Sequence, residues 1–154
     1  MPPIKYTNLK PLEPRNCFSE INTREHNYDM HNMADFLESK YNTESQIVEL
    51  IWKYPSKWFL ENKNEYKDNI QYLKENDIID KVRLIALIFK GVTRYEVKPR
   101  DPEMPFTEDN CLTQILTYDE DFKQDALLFE FQGGLKITIE AEEVIFERDY
   151  KIKY

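Results

Sequence analysis

The chain has 154 residues, the size of one domain, and 41% of them are hydrophobic, so it can bury a core of its own. It carries 29 acidic against 21 basic residues, and the net charge of −8 argues against binding nucleic acid through clustered Lys and Arg. Its three glycines, Gly91, Gly133 and Gly134, are too few for a glycine-rich phosphate loop or a dinucleotide fingerprint.

The first 28 residues are polar and contain four prolines, which favour extended backbone over helix. We predict an irregular N-terminal arm over residues 1–28, in which one short strand could form, and a single domain over residues 29–154. The arm lacks the apolar run of a signal peptide, and the longest apolar run, residues 84–89, is too short to span a bilayer. With only two cysteines, Cys17 and Cys111, we expect a soluble cytoplasmic protein that binds no membrane.

Helical patterns dominate residues 29–80. Residues 29–41 place Met, Phe, Leu and Tyr side chains at helical spacing and predict a first helix. Thr43, followed three residues later by Gln46, has the pattern of a capping box and predicts a second helix limited by Pro55. Two further helices are predicted, one from Pro55 to about residue 60 and one over residues 65–74.

From Lys81 onward the apolar residues recur with a period of two, which is typical of strands. Strands are predicted over residues 81–90, 92–98 and 111–118, with a turn or bulge at Gly91 and a loop over residues 99–110. The clearest pattern is a hairpin with a two-residue turn at Gly133-Gly134, after which residues 144–148 continue its second strand or add a short sixth one. Its apolar face consists of Leu127, Phe129, Phe131, Leu135, Ile137 and Ile139.

Helices followed by a strand meander predict an α+β fold. We expect the helices of residues 29–80 to cover one face of an antiparallel sheet of about five strands, formed by residues 81–150. The apolar face of the hairpin should therefore be buried against those helices.

The two histidines, His26 and His31, could form a metal site with nearby aspartates. They are five residues apart, which does not suit two ligands on one helix face, although a loop could bring them together. A capping role for Asp29 and exposed histidines is the favoured interpretation, and no metal or other cofactor is expected. Cys17 near His26 could suggest a nucleophile, but no motif places a nucleophile on a sharp turn.

Two sets of residues are candidates for binding a protein partner. The first is acidic: Asp119, Glu120, Asp121, Glu140, Glu142 and Glu143. These carboxylates form either a solvated face or a surface that docks a basic protein. The second set is apolar: Trp52, Tyr54 and Trp58 around Pro55, and Met104 and Phe106 in the long loop. These side chains belong either to the core or to an exposed anchor, with the core favoured for the tryptophans.

Residues 127–144 (LLFEFQGGLKITIEAEEV) combine a strand, a Gly-Gly turn, alternating Ile and Leu, and then acidic residues. This segment resembles the closing hairpin of small bacterial proteins, some of which look like immunity proteins of contact-dependent or polymorphic toxin systems. The resemblance implies a protein that neutralises a toxin, and it transfers no functional residue to this chain.

Small size, acidity, many aromatic residues and the lack of a catalytic motif agree with a non-enzymatic binding protein. We expect an immunity protein that occludes a toxin, with a basic protein as its partner. One alternative is an accessory or regulatory subunit of a larger protein complex. The other is a small hydrolase that uses His26, His31 and nearby carboxylates.

Overall fold

The computed structural model describes residues 4–12, 20–55, 82–103, 110–117 and 126–151. In this part the chain forms eleven strands and no helix. The strands are β1 (Lys5–Thr7), β2 (Glu20–Asn22), β3 (Asn27–Asp29), β4 (Asp35–Asn42), β5 (Ile47–Pro55), β6 (Val82–Lys90), β7 (Arg94–Lys98), β8 (Leu112–Leu116), β9 (Ala126–Phe131), β10 (Lys136–Glu140) and β11 (Glu143–Glu147).

The predicted α+β fold is wrong, because residues 35–55, expected to be helical, form the hairpin β4–β5. In β5, alternate side chains point into the core and are buried: Val48, Leu50, Trp52 and Tyr54. Such alternation of β-branched and aromatic residues stabilises a strand. Ile51 is also buried, although it lies on the opposite face of the strand. This extra apolar residue produced the false helical spacing.

The apparent signals for helix starts belong to turns. The side-chain oxygen Oδ1 of Asn42 accepts hydrogen bonds from the backbone N–H groups of Glu44 and Ser45, and Gln46 has a φ of 56°, so this segment is a hairpin loop. Asp29 does cap backbone N–H groups, but it caps a single turn rather than a helix, because β4 follows at Asp35. The helices predicted beyond Pro55 lie outside the described residues.

Strands predicted from residue 81 onward are confirmed as β6 to β11. The prediction of a two-residue turn in the β9–β10 hairpin is wrong. The N–H of Gly134 donates to the carbonyl of Phe131, and the N–H of Phe131 donates to the carbonyl of Leu135, which makes a three-residue loop. Gly134 is the residue with positive φ, at 95°, whereas Gly133 is not left-handed.

The strands form two main sheets and a small one. The first sheet has the order β1-β11-β6-β5-β4, the second β7-β10-β9-β8, and β2 pairs with β3. All pairs are antiparallel except β1 with β11. The chain passes between the main sheets at two corners, residues 91–93 and 141–142. Backbone hydrogen bonds join these corners. The N–H of Glu142 donates to the carbonyl of Lys90, and the N–H of Thr93 donates to the carbonyl of Glu140.

The core lies between the two main sheets. Phe129 of β9 contacts Trp52 and Phe89 of the first sheet, with ring centroids 6.3 and 6.0 Å apart, and Phe36 contacts Phe131 at 4.6 Å. The predicted apolar face of the β9–β10 hairpin is confirmed as buried, apart from the half-buried Leu135. The expectation that helices cover it is wrong, because the face packs against a second sheet.

Candidate functional site

Strand β4 is one edge of the first sheet, and β7 is one edge of the second. The two edge strands contact each other through side chains. The hydroxyl oxygens of Ser39 and Tyr95 are 2.6 Å apart, and the rings of Tyr41 and Tyr95 lie with centroids 5.3 Å apart. The two sheets therefore meet here through side chains that connect an edge of each.

Inward-facing side chains are open to solvent along this contact. Tyr41 is opposite the buried Val48, and Val97 is opposite the buried Ile137, so both point to the core side of their sheets. Nevertheless, Tyr41 is 42% exposed and Val97 is 46% exposed. By contrast, the apolar side chains that face inward from the interior strands of either sheet are buried.

Leu37, at the bulge of β4, is also 42% exposed. We refer to Leu37, Tyr41, Tyr95 and Val97 as the open side. Among the described residues, every large hydrophobic side chain with high exposure belongs to it. Tyr41, Tyr95 and Val97 adjoin one another, and adjoining exposed hydrophobic residues mark a site of interaction, whereas scattered ones are normal.

Acidic side chains without an ion pair lie near one end of the open side. The loop after β4 contacts the corner of residues 91–93, because the N–H of Val92 donates to the carbonyl of Gln46. Glu44 lies in that loop, and the carboxyl group of Glu142 lies against Gly91 at the neighbouring corner. Both carboxylates are exposed, and neither has an ion pair within the described part of the chain.

The other acidic residues proposed from the sequence are less available. The carboxylate of Glu140, with 12% of its side chain exposed, is 3.4 Å from the guanidinium of Arg94. Glu143, 25% exposed, lies 3.9 Å from the ammonium of Lys5 and accepts a hydrogen bond from the hydroxyl of Thr7. Asp119, Glu120 and Asp121 lie outside the described residues. Of the proposed set, the structure thus leaves Glu142 as an exposed carboxylate free of ion pairs among the residues it describes.

The proposed aromatic anchors Trp52 and Tyr54 are core residues, with exposures of 0% and 2%. Burial raises the pKa of the Tyr54 hydroxyl, whose oxygen accepts a hydrogen bond from the backbone N–H of Asp29. Neither side chain can contact a partner without unfolding the core. Trp58, Met104 and Phe106 lie outside the described residues.

The two histidines have separate surroundings. His26 is exposed and its ring contacts Tyr28 edge-on, with centroids 4.7 Å apart. His31 is half-buried, and its Nδ1 atom lies 2.7 Å from the carbonyl oxygen of Leu112 and 3.4 Å from Sγ of Cys111. The described residues contain no group of three or more His, Cys, Asp or Glu side chains placed to hold a metal ion.

The His31–Cys111 contact is a pair that sequence analysis missed, because the two residues are 80 positions apart. A 2.7 Å contact with a carbonyl oxygen requires a proton on Nδ1. The Nδ1 atom nearest to the thiol therefore cannot accept its proton, and this pair lacks the arrangement of a nucleophile with its base. The geometry fits a structural link between the turn after β3 and the start of β8.

Asp29 organises the turn that carries His31. Burial opposes ionisation of its carboxyl group, but hydrogen bonds from Asn32 and from the N–H of His31 outweigh this effect. The pKa of Asp29 is consequently below its usual value. These bonds account for Asp29 as a structural cap.

No helix among the described residues has the length and apolar character needed to cross a membrane. The open side, rather than a catalytic or metal centre, is the most prominent candidate site in the described part of the fold. Comparison of the chain with family models, with curated proteins and with solved structures found no match.

Proposed function

We propose that this chain is a non-enzymatic binding protein that holds a basic protein partner at the open side. A toxin-neutralising immunity protein, which acts by occluding its target, is the concrete form of this proposal. The observation that carries it is the exposure of Tyr41 and Val97, two inward-facing side chains on adjoining sheet edges.

An apolar side chain of the partner would complete the core between β4 and β7. Tyrosine is among the residue types that contribute most to binding energy, because its large ring loses little entropy when it is covered. The contact between Tyr41 and Tyr95 holds both rings in place before binding. Such pre-organisation reduces the entropy cost of association.

Charge supports a basic partner. The net charge of −8 attracts a cationic protein, and at physiological salt this attraction acts mainly within about 8 Å of the surface. Glu44 and Glu142 provide local carboxylates beside the open side, while the nearby cation Arg94 is neutralised by Glu96 and Glu140. Lysine or arginine side chains next to the partner's apolar anchor would therefore be favoured.

The test begins with affinity capture of a partner from the source cell and continues with the purified pair. Replacing Tyr41 and Val97 with Ser should weaken the affinity by about 10- to 100-fold, mostly through faster dissociation. Lys53→Ser, which changes an exposed residue on the outer side of β5, serves as the control and should leave the affinity within about twofold.

Two results would overturn the proposal. One is an unchanged affinity in the folded Tyr41/Val97 double variant, which would place the interface elsewhere. The other is an association rate that responds neither to salt nor to Glu44→Lys and Glu142→Lys. That outcome would remove the argument for a basic partner, because exposed charges act mainly on the association rate.

A further inference from the structure

A cleft of about 680 Å³ lies where the segment after β1, the turn between β2 and β3, and the end of β11 meet. This volume is typical of sites for small molecules. The floor is formed by the buried side chains of Leu9, Tyr28 and Phe146. The walls consist of Asn8, Lys10, Thr23, Arg24, Glu25, Glu147, Arg148 and Asp149.

A positive charge lies against one residue of this floor, Tyr28. The guanidinium of Arg83 donates a hydrogen bond of 3.2 Å to the hydroxyl of Tyr28, and its central carbon is 5.5 Å from the centre of the Tyr28 ring. The Nε atom of Arg83 is buried without a hydrogen-bond partner. No carboxylate among the described residues forms an ion pair with this arginine.

The charged walls are unevenly neutralised. Arg148 forms ion pairs with two of the acidic residues, Glu25 and Asp149. Lys10 and Arg24 are exposed and lack an ion pair in the part of the chain that the structure describes. They lie on the same wall, since the N–H of Lys10 donates to the carbonyl of Asn22, two residues before Arg24.

The six charged wall residues are three basic and three acidic, so the cleft carries no net charge, and its unpaired positive charge is confined to one wall. Lys10 and Arg24 form that wall, and Glu147 is the one acidic wall residue without an ion pair among those described. Two unpaired cations on one wall can both donate charge-assisted hydrogen bonds to a single anionic group. An apolar floor also excludes water from a hydrocarbon or aromatic group that covers it.

We propose that the cleft binds a small amphipathic organic anion. Its apolar part would lie over Leu9, Tyr28 and Phe146, and its carboxylate or sulfonate would face Lys10 and Arg24. This site is separate from the open side and does not depend on the proposed protein partner.

Anilinonaphthalene sulfonate, which joins an aromatic body to an anionic group, is a suitable probe for fluorescence titration of the intact chain. We expect saturable binding at one site. Lys10→Glu and Arg24→Glu should each weaken this binding by about fivefold or more. Lys53→Glu makes the same change in net charge at an exposed residue outside the cleft and should leave the affinity within about twofold.

Two further measurements locate the dye and test the role of its charge. The Tyr41→Ser and Val97→Ser double variant should bind the dye as tightly as the unaltered protein, because the open side is not the site. Phenylnaphthylamine, a related dye without the sulfonate, should bind at least about fivefold more weakly.

The proposal fails if the Lys53 variant loses as much affinity as the cleft variants, since the effect would then be one of net charge alone. It also fails if the neutral dye binds equally well, or if only the open-side variant loses binding. A dissociation constant weaker than about 1 mM for the unaltered protein would overturn it as well.

Discussion

Replacing Phe129 with alanine should lower the free energy of unfolding by about 3–5 kcal/mol. Phe129 is 0% exposed, and its ring contacts Trp52 and Phe89 across the interface between the two sheets. Loss of the buried ring removes about 1.5–3 kcal/mol of transfer free energy. Each of the two aromatic contacts contributes about 0.5–1.5 kcal/mol more. These terms together agree with the range measured for emptying an aromatic core site.

The matched control is Glu130→Ala, which alters the next residue and therefore the opposite face of the same strand. The carboxylate of Glu130 is 3.8 Å from the ammonium of Lys136 and accepts a hydrogen bond from the side-chain amide of Gln114, contacts that together are worth about 2 kcal/mol or less. Equilibrium urea unfolding would measure both variants, with similar m-values expected. A loss below about 1 kcal/mol for Phe129→Ala, or a larger loss for Glu130→Ala, would show that the two faces of β9 are reversed.

Three further predictions concern the turn glycine and two titratable groups. Gly134→Ala should cost about 1–3 kcal/mol in urea unfolding, more than Gly133→Ala, because Gly134 has a φ of 95° and an added Cβ would lie 2.8 Å from that of Asp101. Asp29→Ala should be less stable than the unaltered protein at neutral pH. Because the pKa of Asp29 is lowered on folding, its contribution is complete above the unfolded pKa of about 4, and the difference should shrink as the pH falls below that value. Burial and then the hydrogen bond to Glu49 raise the pKa of Tyr150 to about 12, so its contribution is complete below about pH 10 and is lost as the pH rises through 12. The difference in the urea midpoint of unfolding between the unaltered protein and Tyr150→Phe should accordingly be constant below pH ~10 and should decrease above it. A difference that stays constant throughout would contradict the raised pKa of Tyr150.

Strand β10 was predictable because polar residues separate the apolar ones. In β10, Lys136, Thr138 and Glu140 alternate with Ile137 and Ile139, and a helix would scatter these side chains around its axis. Strand β5 does not alternate as clearly, since Ile51 is buried on its outer face. Local spacing could not resolve this ambiguity, because the strand is specified by its neighbours β4 and β6.

The open side could not be predicted from local patterns. Periodicity correctly places Val97 on the same face as other core-facing residues, but it does not tell whether the strand is central or an edge. That property depends on the strand order, in which β7 has a neighbour on one side only. The contact between β4 and β7 is likewise a product of topology, since Ser39 and Tyr95 are 56 positions apart. Glu142, the exposed carboxylate without an ion pair among the described residues, was one of the acidic candidates from the sequence. Tyr41 and Val97 were not candidates.

The parallel pairing of β1 with β11 has a consequence for the order of folding. Thr7 and Glu143, which are hydrogen-bonded through their side chains, are 136 positions apart, so β1 can join the first sheet only after β11 has been synthesised. Closing a loop of that length delays the contact, and such long-range strand pairing makes folding slow, on the order of milliseconds to seconds. Until then the apolar edge of β6 lacks its partner β11 and is exposed to pairing with other chains. A released chain truncated before residue 143 should thus depend on chaperones to stay unaggregated, while a released chain that includes β11 should not.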